Sequence, residues 1–255
     1  MRFMSLYISY LNDNNDMKDN IMIEQRLSNE RGYANHGWLR SYHTFSFANY
    51  WDPKQIGFSD LLVVNDDQIA PTKGFGAHPH KNMEIFSYVL SGELEHKDSM
   101  GNGSIIRPGD IQLMSAGSGV VHSEFNPSTS NKTAFLQIWI MPNVEKTKPG
   151  YQQHYFPTEE KRGKLKLVIS EDGHDNSLKI HQDIRIYAGL FDKDEEAVFD
   201  ISDNRCAYLH VAKGSLEVNG LVFNAGDGAR ICREKQLIIS HGHGAEILLF
   251  DMRLV

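Results

Sequence analysis

Between Met83 and Glu124 the chain is cut by turns into short β-forming runs, and this punctuation limits the fold more than anything else in the sequence. The run Met83-Glu84-Ile85-Phe86-Ser87-Tyr88-Val89-Leu90 is rich in aromatic and β-branched residues; it stops at Ser91-Gly92 and resumes as Glu93-Leu94-Glu95-His96, which predicts a hairpin. Met100-Gly101-Asn102-Gly103 turns the chain into Ile105-Ile106-Arg107, and Pro108-Gly109-Asp110 turns it again before Ile111-Gln112-Leu113-Met114. Ser115-Ala116-Gly117-Ser118-Gly119 then allows close backbone approach ahead of Val120-Val121-His122-Ser123-Glu124. Short strands between Gly-rich turns predict an all-β sandwich or barrel rather than a layered α/β fold.

On strands, side chains two apart point the same way. His78 and His80, separated by Pro79 and entered through Gly74 and Gly76, therefore form one inward pair. His122 and Glu124 form a second, and the two pairs are predicted to converge on a common interior. Three imidazoles and one carboxylate are too oxygen-poor for a calcium or magnesium cage and contain no thiolate. The set suits one divalent transition metal with coordination positions left open, and iron, manganese, nickel, cobalt and zinc all accept such ligands. His36 and His43, among Trp38, Tyr42, Phe45 and Phe47, read as hydrogen-bonded histidines at an aromatic edge, and His96 as facing a neighbouring strand.

The runs Gly76-Ala77-His78-Pro79-His80-Lys81-Asn82-Met83-Glu84, Gly92-Glu93-Leu94-Glu95-His96-Lys97-Asp98-Ser99 and Ser115 to Glu124 resemble the pirin family of bicupins. So do Glu30 to Leu39, His43 to Ala48 and Gln137 to Pro142, and here the chain is most similar to the bacterial pirin-like quercetin 2,3-dioxygenases. The resemblance runs from about Ile23 to the C-terminus and is most evident up to Phe156. It implies two cupin (double-stranded β-helix, or jelly-roll) barrels in one chain, with a metal site at His78, His80, His122 and Glu124. Many cupins instead take a carboxylate from the position of Glu84; here Glu84 is expected either to orient the ligands from behind or to be structural, and Glu124 to be the ligand.

A 255-residue chain with 40% hydrophobic residues, 13 Phe and 10 Tyr has material for two modest cores. The expected division is an extension over residues 1–22, an amino-terminal cupin over 23–142, a linker over 143–160 and a carboxy-terminal cupin-like domain over 161–255. The second half echoes the first: Leu209-His210-Val211-Ala212-Lys213-Gly214-Ser215-Leu216-Glu217 follows the pattern of Tyr88 to Glu95, and Asn219-Gly220 is a two-residue hairpin signal. Aligning Gly214 on Gly92 brings Asp200 and Ser202 to the places of His78 and His80, so no metal is expected there. His241-Gly242-His243 reads as a glycine-flanked loop with solvated imidazoles.

The net charge of −7, with no basic cluster, argues against electrostatic capture of nucleic acid, and no run approaches the roughly 18 apolar residues of a membrane span. Two cysteines, Cys206 and Cys232, without a CxxC pattern or a secretion signal predict free thiols and a cytoplasmic protein. No nucleophile elbow or phosphate loop is present. The resemblance implies a metal-dependent dioxygenase that opens a flavonol such as quercetin at the 2,3 position with O2 and releases carbon monoxide. In that reading Glu124 serves as the base, because a carboxylate beside the metal reaches a bound hydroxyl. The alternatives are another enolisable phenol as substrate, or a non-enzymatic metal-binding protein acting through protein partners in regulation.

Overall fold

The computed structural model describes residues 22–254; the expected extension over 1–22 falls almost entirely outside them. Strand β1 (Ile23–Arg26) opens the described chain. The amino-terminal half follows as β2 (Gly32–Asn35), β3 (Leu39–His43), β4 (Leu61–Ile69), β5 (Gly74–His80), β6 (Glu84–Ser91), β7 (Leu94–Asp98), β8 (Gly103–Ile106), β9 (Asp110–Ser115), β10 (Val120–Phe125), β11 (Thr133–Ile140) and β12 (Gly150–Tyr155). The carboxy-terminal half supplies β13 (Leu165–Ser170), β14 (Leu178–Lys179), β15 (Ile184–Lys193), β16 (Ala197–Asp200), β17 (Arg205–Val218), β18 (Leu221–Asn224), β19 (Gly228–Cys232) and β20 (Gln236–Arg253).

The chain is all-β and forms two barrels. The first is a seven-stranded sheet in the order β12-β9-β6-β11-β4-β3-β2 facing a four-stranded sheet in the order β5-β10-β7-β8. The second is one curved nine-stranded sheet whose main path runs β1-β19-β17-β20-β15-β13-β14. Asn219 and Gly220 have φ of 49° and 80° and join Val218 to Leu221 as the two-residue hairpin that the sequence predicts.

Four expectations change. Strands β6 and β7 are not a hairpin: β6 pairs with β11 and β9, β7 with β10 and β8, so the turn at Gly92 (φ 76°) carries the chain from one sheet to the other. The expected linker 143–160 contains β12, which pairs along its length with β9 and closes the edge of the first barrel. Conversely β1, at the start of the span expected as the amino-terminal domain, pairs with β19 in the second barrel. Finally, His241-Gly242-His243 lies within β20, not in a loop; His241 takes a φ of 51° and register shifts interrupt the pairing of this segment, while both imidazoles stay exposed.

Period-two alternation sorts the large sheet into two faces. Phe86, Tyr88, Leu113, Leu136 and Ile138 belong to a core shared with Ile186, Tyr208, Leu248 and Phe250 of the second half, so the two barrels pack sheet to sheet. The opposite, barrel-inward face carries apolar clusters around Phe135 and Met114. It also carries a row of polar residues in cross-strand register: His43 opposite Asn65, Asn65 opposite Gln137, Gln137 opposite Ser87, Ser87 opposite Gln112, and Gln112 opposite Gln153. A buried polar row is stable only where its groups find partners.

Candidate metal centre

The facing four-stranded sheet brings the two motif pairs over this row. Strand β10 pairs with β5 so that His122 stands directly opposite His78, with His80 opposite Val120. The ligand nitrogens of His78, His80 and His122 all lie within 4.8 Å of one another, and the ring centroids are 4.4 to 4.9 Å apart. Burial and the neighbouring imidazoles push His80 down to about 4 and His122 down to about 3, so both rings are neutral at neutral pH. Neither ring nitrogen of buried His122 has a hydrogen-bond partner in the protein. An orphaned buried imidazole between two others is what a transition-metal site requires, and the donor set fits the expected ion.

Glu124 also points inward, but it stands across His122 from the other two histidines. Between His122 and Glu124 the register slips: His122 faces His78, whereas Glu124 faces Phe75. Its carboxylate lies within 4.8 Å of the ligand nitrogens of His96 and His122, a second group that shares His122 with the first. Ser87 Oγ donates to Oε1 at 3.1 Å and Gln137 Nε2 donates to Oε2 at 2.6 Å. Burial pushes the carboxyl up to about 7 against the pull of these donors. The polar row thus grips the acid from beneath.

His96, read from the sequence only as facing a neighbouring strand, joins this second group. It sits directly opposite Glu124 on β7, fully buried, with its ring centroid 5.3 Å from that of His122. Asp98 Oδ2 takes Nε2 at 3.1 Å, and Nδ1 has no partner. The signal was present, because His96 and Asp98 are spaced two apart on a strand like the two recognised pairs. Glu84 turns out to lie away from the centre. It is three residues from Ser87 and so faces the other barrel, where Ser115 Oγ donates to it at 2.8 Å and His181 Nδ1 at 3.1 Å.

A cavity of about 580 Å³ lies one layer of side chains from the cluster, lined by none of its histidines. Trp38, Phe47 and Phe75 give it aromatic walls, and Ser41, His43, Asn65, Asp67 and Gln137 a polar side. It borders the site through three contacts: Gln137 holds Glu124, the Phe75 ring lies 6.4 Å from His78, and Phe47 meets Trp139, whose ring is 4.9 Å from His80. Its volume is in the range of small-molecule sites.

Comparison with known proteins places this geometry in a lineage. The pirin family profile matches residues 24–140, and the profile described as the quercetinase C-terminal cupin domain matches residues 167–252. A quercetin 2,3-dioxygenase of Escherichia coli is 48% identical over 231 residues, covering 91% of this chain and 99% of that protein. A pirin-like protein of Caulobacter vibrioides is 40% identical, covering 90% and 99%. The crystal structure of the bacterial pirin YhhW from Escherichia coli in complex with nickel(II) superposes with a TM-score of 0.87 at 47% identity, covering 92% of this chain and all of that one. Identity of this order across both barrels, nearly end to end in each relative, means that the chain belongs to the pirin family.

Proposed function

We propose that the chain is a metal-dependent quercetin 2,3-dioxygenase-like oxidoreductase, opening a flavonol with O2 and releasing carbon monoxide. The observation that carries this reading is the aromatic-walled cavity bordering the three-histidine cluster, since a metal-dependent binding protein acting through a protein partner needs no such chamber. His78, His80 and His122 would hold one divalent transition metal ion, with Glu124 completing the set by turning toward them. The nickel(II) complex of the Escherichia coli relative supports a divalent ion, and the same donors accept iron, manganese, cobalt or zinc. When bound, such an ion polarises a coordinated hydroxyl and lowers its pKa.

The protein's own groups do the rest. Trp38, Phe47 and Phe75 enclose a flat aromatic ligand and exclude water. Glu124, on leaving the ion, takes the proton of the substrate's 3-hydroxyl at a carboxylate oxygen, and Ser87 and Gln137 receive the freed carboxyl. The reading places the protein in the cytoplasm, in keeping with Cys206 and Cys232, which stand opposite each other on β17 and β19 without a disulfide.

Metal-loaded protein incubated with quercetin is expected to bleach the flavonol absorbance and release carbon monoxide in air and to do neither under argon. Loss of absorbance without the gas would remove the 2,3-cleavage, and no reaction in air with any of the five metals would remove the enzyme.

A further inference from the structure

The polar row is satisfied at its centre and open at one end. Ser87 and Gln137 spend their donors on Glu124. Further along, His43 Nδ1 donates to Asn65 Oδ1 at 2.9 Å, which leaves Nε2 as an acceptor and the Asn65 Nδ2 donors without a protein partner. Two residues on, on the same face, Asp67 is 2% exposed and its Oδ1 is buried with no partner. His43, Asn65 and Asp67 all line the cavity, as do Phe75 and Trp38. Beside the aromatic walls, one side of the chamber therefore carries an acceptor on His43, a donor on Asn65 and the buried Asp67 carboxyl, which Ser41 meets and whose Oδ1 has no protein partner.

A phenolic hydroxyl both donates and accepts, and a flavonol carries such groups on rings that extend away from its chelating 3-hydroxy-4-carbonyl end. We propose that His43, Asn65 and Asp67 form a hydroxyl-reading wall: with the chelating end at the histidine cluster, they bind the ring hydroxyls of the substrate and select polyhydroxylated flavonols over the bare 3-hydroxyflavone skeleton. This rests on the cavity being a flavonol site. Recognition by a desolvated polar wall is strongly selective, because an analogue lacking the hydroxyl leaves buried donors and acceptors unpaired. The aromatic walls alone bind both skeletons about equally.

The test is equilibrium binding in the absence of oxygen, so that it stands apart from turnover. Metal-loaded protein is titrated anaerobically with quercetin and with 3-hydroxyflavone by difference absorbance. Quercetin is expected to bind at least tenfold more tightly. In Asp67→Leu and Asn65→Leu that ratio is expected to fall toward one, and Asp67→Asn is expected to restore part of it; metal content and melting temperature confirm that each variant is folded and loaded. A wild-type ratio near one overturns the wall even if both compounds are cleaved, as does a ratio unchanged in both leucine variants. Preferential binding without cleavage upholds the wall and fails the dioxygenase instead, whereas no binding of either compound overturns both.

Discussion

Glu124 shows how much one buried side chain can be asked to do. Its pKa in the folded protein, about 7, lies above the usual 4.5, so its contribution to the metal-free protein is fully present below pH 4.5 and is lost as pH rises through 7. His80 and His122, depressed from 6.5 to about 4 and about 3, act in the opposite sense, and their contribution is lost as pH falls through those values. In Glu124→Gln the carboxyl titration is gone while the contacts to Ser87 and Gln137 can persist. Metal-free Glu124→Gln is therefore expected to melt above wild type at pH 8, by about 2–4 °C for each kcal/mol recovered, with the advantage vanishing near pH 4.5. Thermal melts across that range check the sign. Loaded with metal, the same variant is expected to hold the ion more weakly and to lose turnover of quercetin. The convergence of three histidines and the inward face of Glu124 were legible in the sequence because period-two spacing on a strand is a local property. His96 shares that spacing through Asp98, but its importance comes from standing opposite Glu124 on another strand, which no local pattern reports. Asn65, Asp67 and Gln137 carry no motif at all; they matter because cross-strand register aligns them.

At the level of strands, the centre depends on how closely β5 and β10 approach. Gly74 pairs with Phe125, and a Cβ placed there would run into the backbone oxygen of Glu124 and come within 2.5 Å of Phe125 Cα. Gly74→Ala is expected to push the two strands apart beneath the histidine cluster. Overpacking of this kind costs about 1–3 kcal/mol, so a lower melting temperature together with reduced metal content by elemental analysis is the expected result. An unchanged metal content would show that the cluster tolerates movement of β5. The same level explains which elements could be read. Asn219-Gly220 has the residue types that a tight hairpin demands, and the hairpin forms. Ser91-Gly92 has turn chemistry too, yet Gly92 packs against Thr133 and the chain crosses between sheets. Turn residues specify a reversal of direction, and the partner of the next strand is decided by tertiary packing.

For the molecule as a whole, the interface between the barrels is part of the core. Besides the shared apolar cluster, Tyr88 donates to Glu246 at 2.5 Å, Lys213 reaches the backbone oxygen of Leu90 at 2.9 Å, and Glu84 is pinned by Ser115 and His181. Glu84→Ala leaves Ser115 and His181 without their acceptor at the barrel junction. It is expected to cost about 1–3 kcal/mol in denaturant unfolding while leaving bound metal near wild type, in contrast to Glu124→Ala, which is expected to empty the site. Equal metal loss in the two variants would make Glu84 a ligand. The two-barrel plan was legible from the faint echo between the halves, but the exchange of edge strands was not, because β1 and β12 are short and each is placed only by the sheet it joins. Strand β1 has the longest reach: Ile23 pairs with Ile231. During synthesis β1 leaves the ribosome well before β19, its only ladder partner among the described strands, so a nascent chain halted between the two carries a bare strand that invites chaperones or self-association.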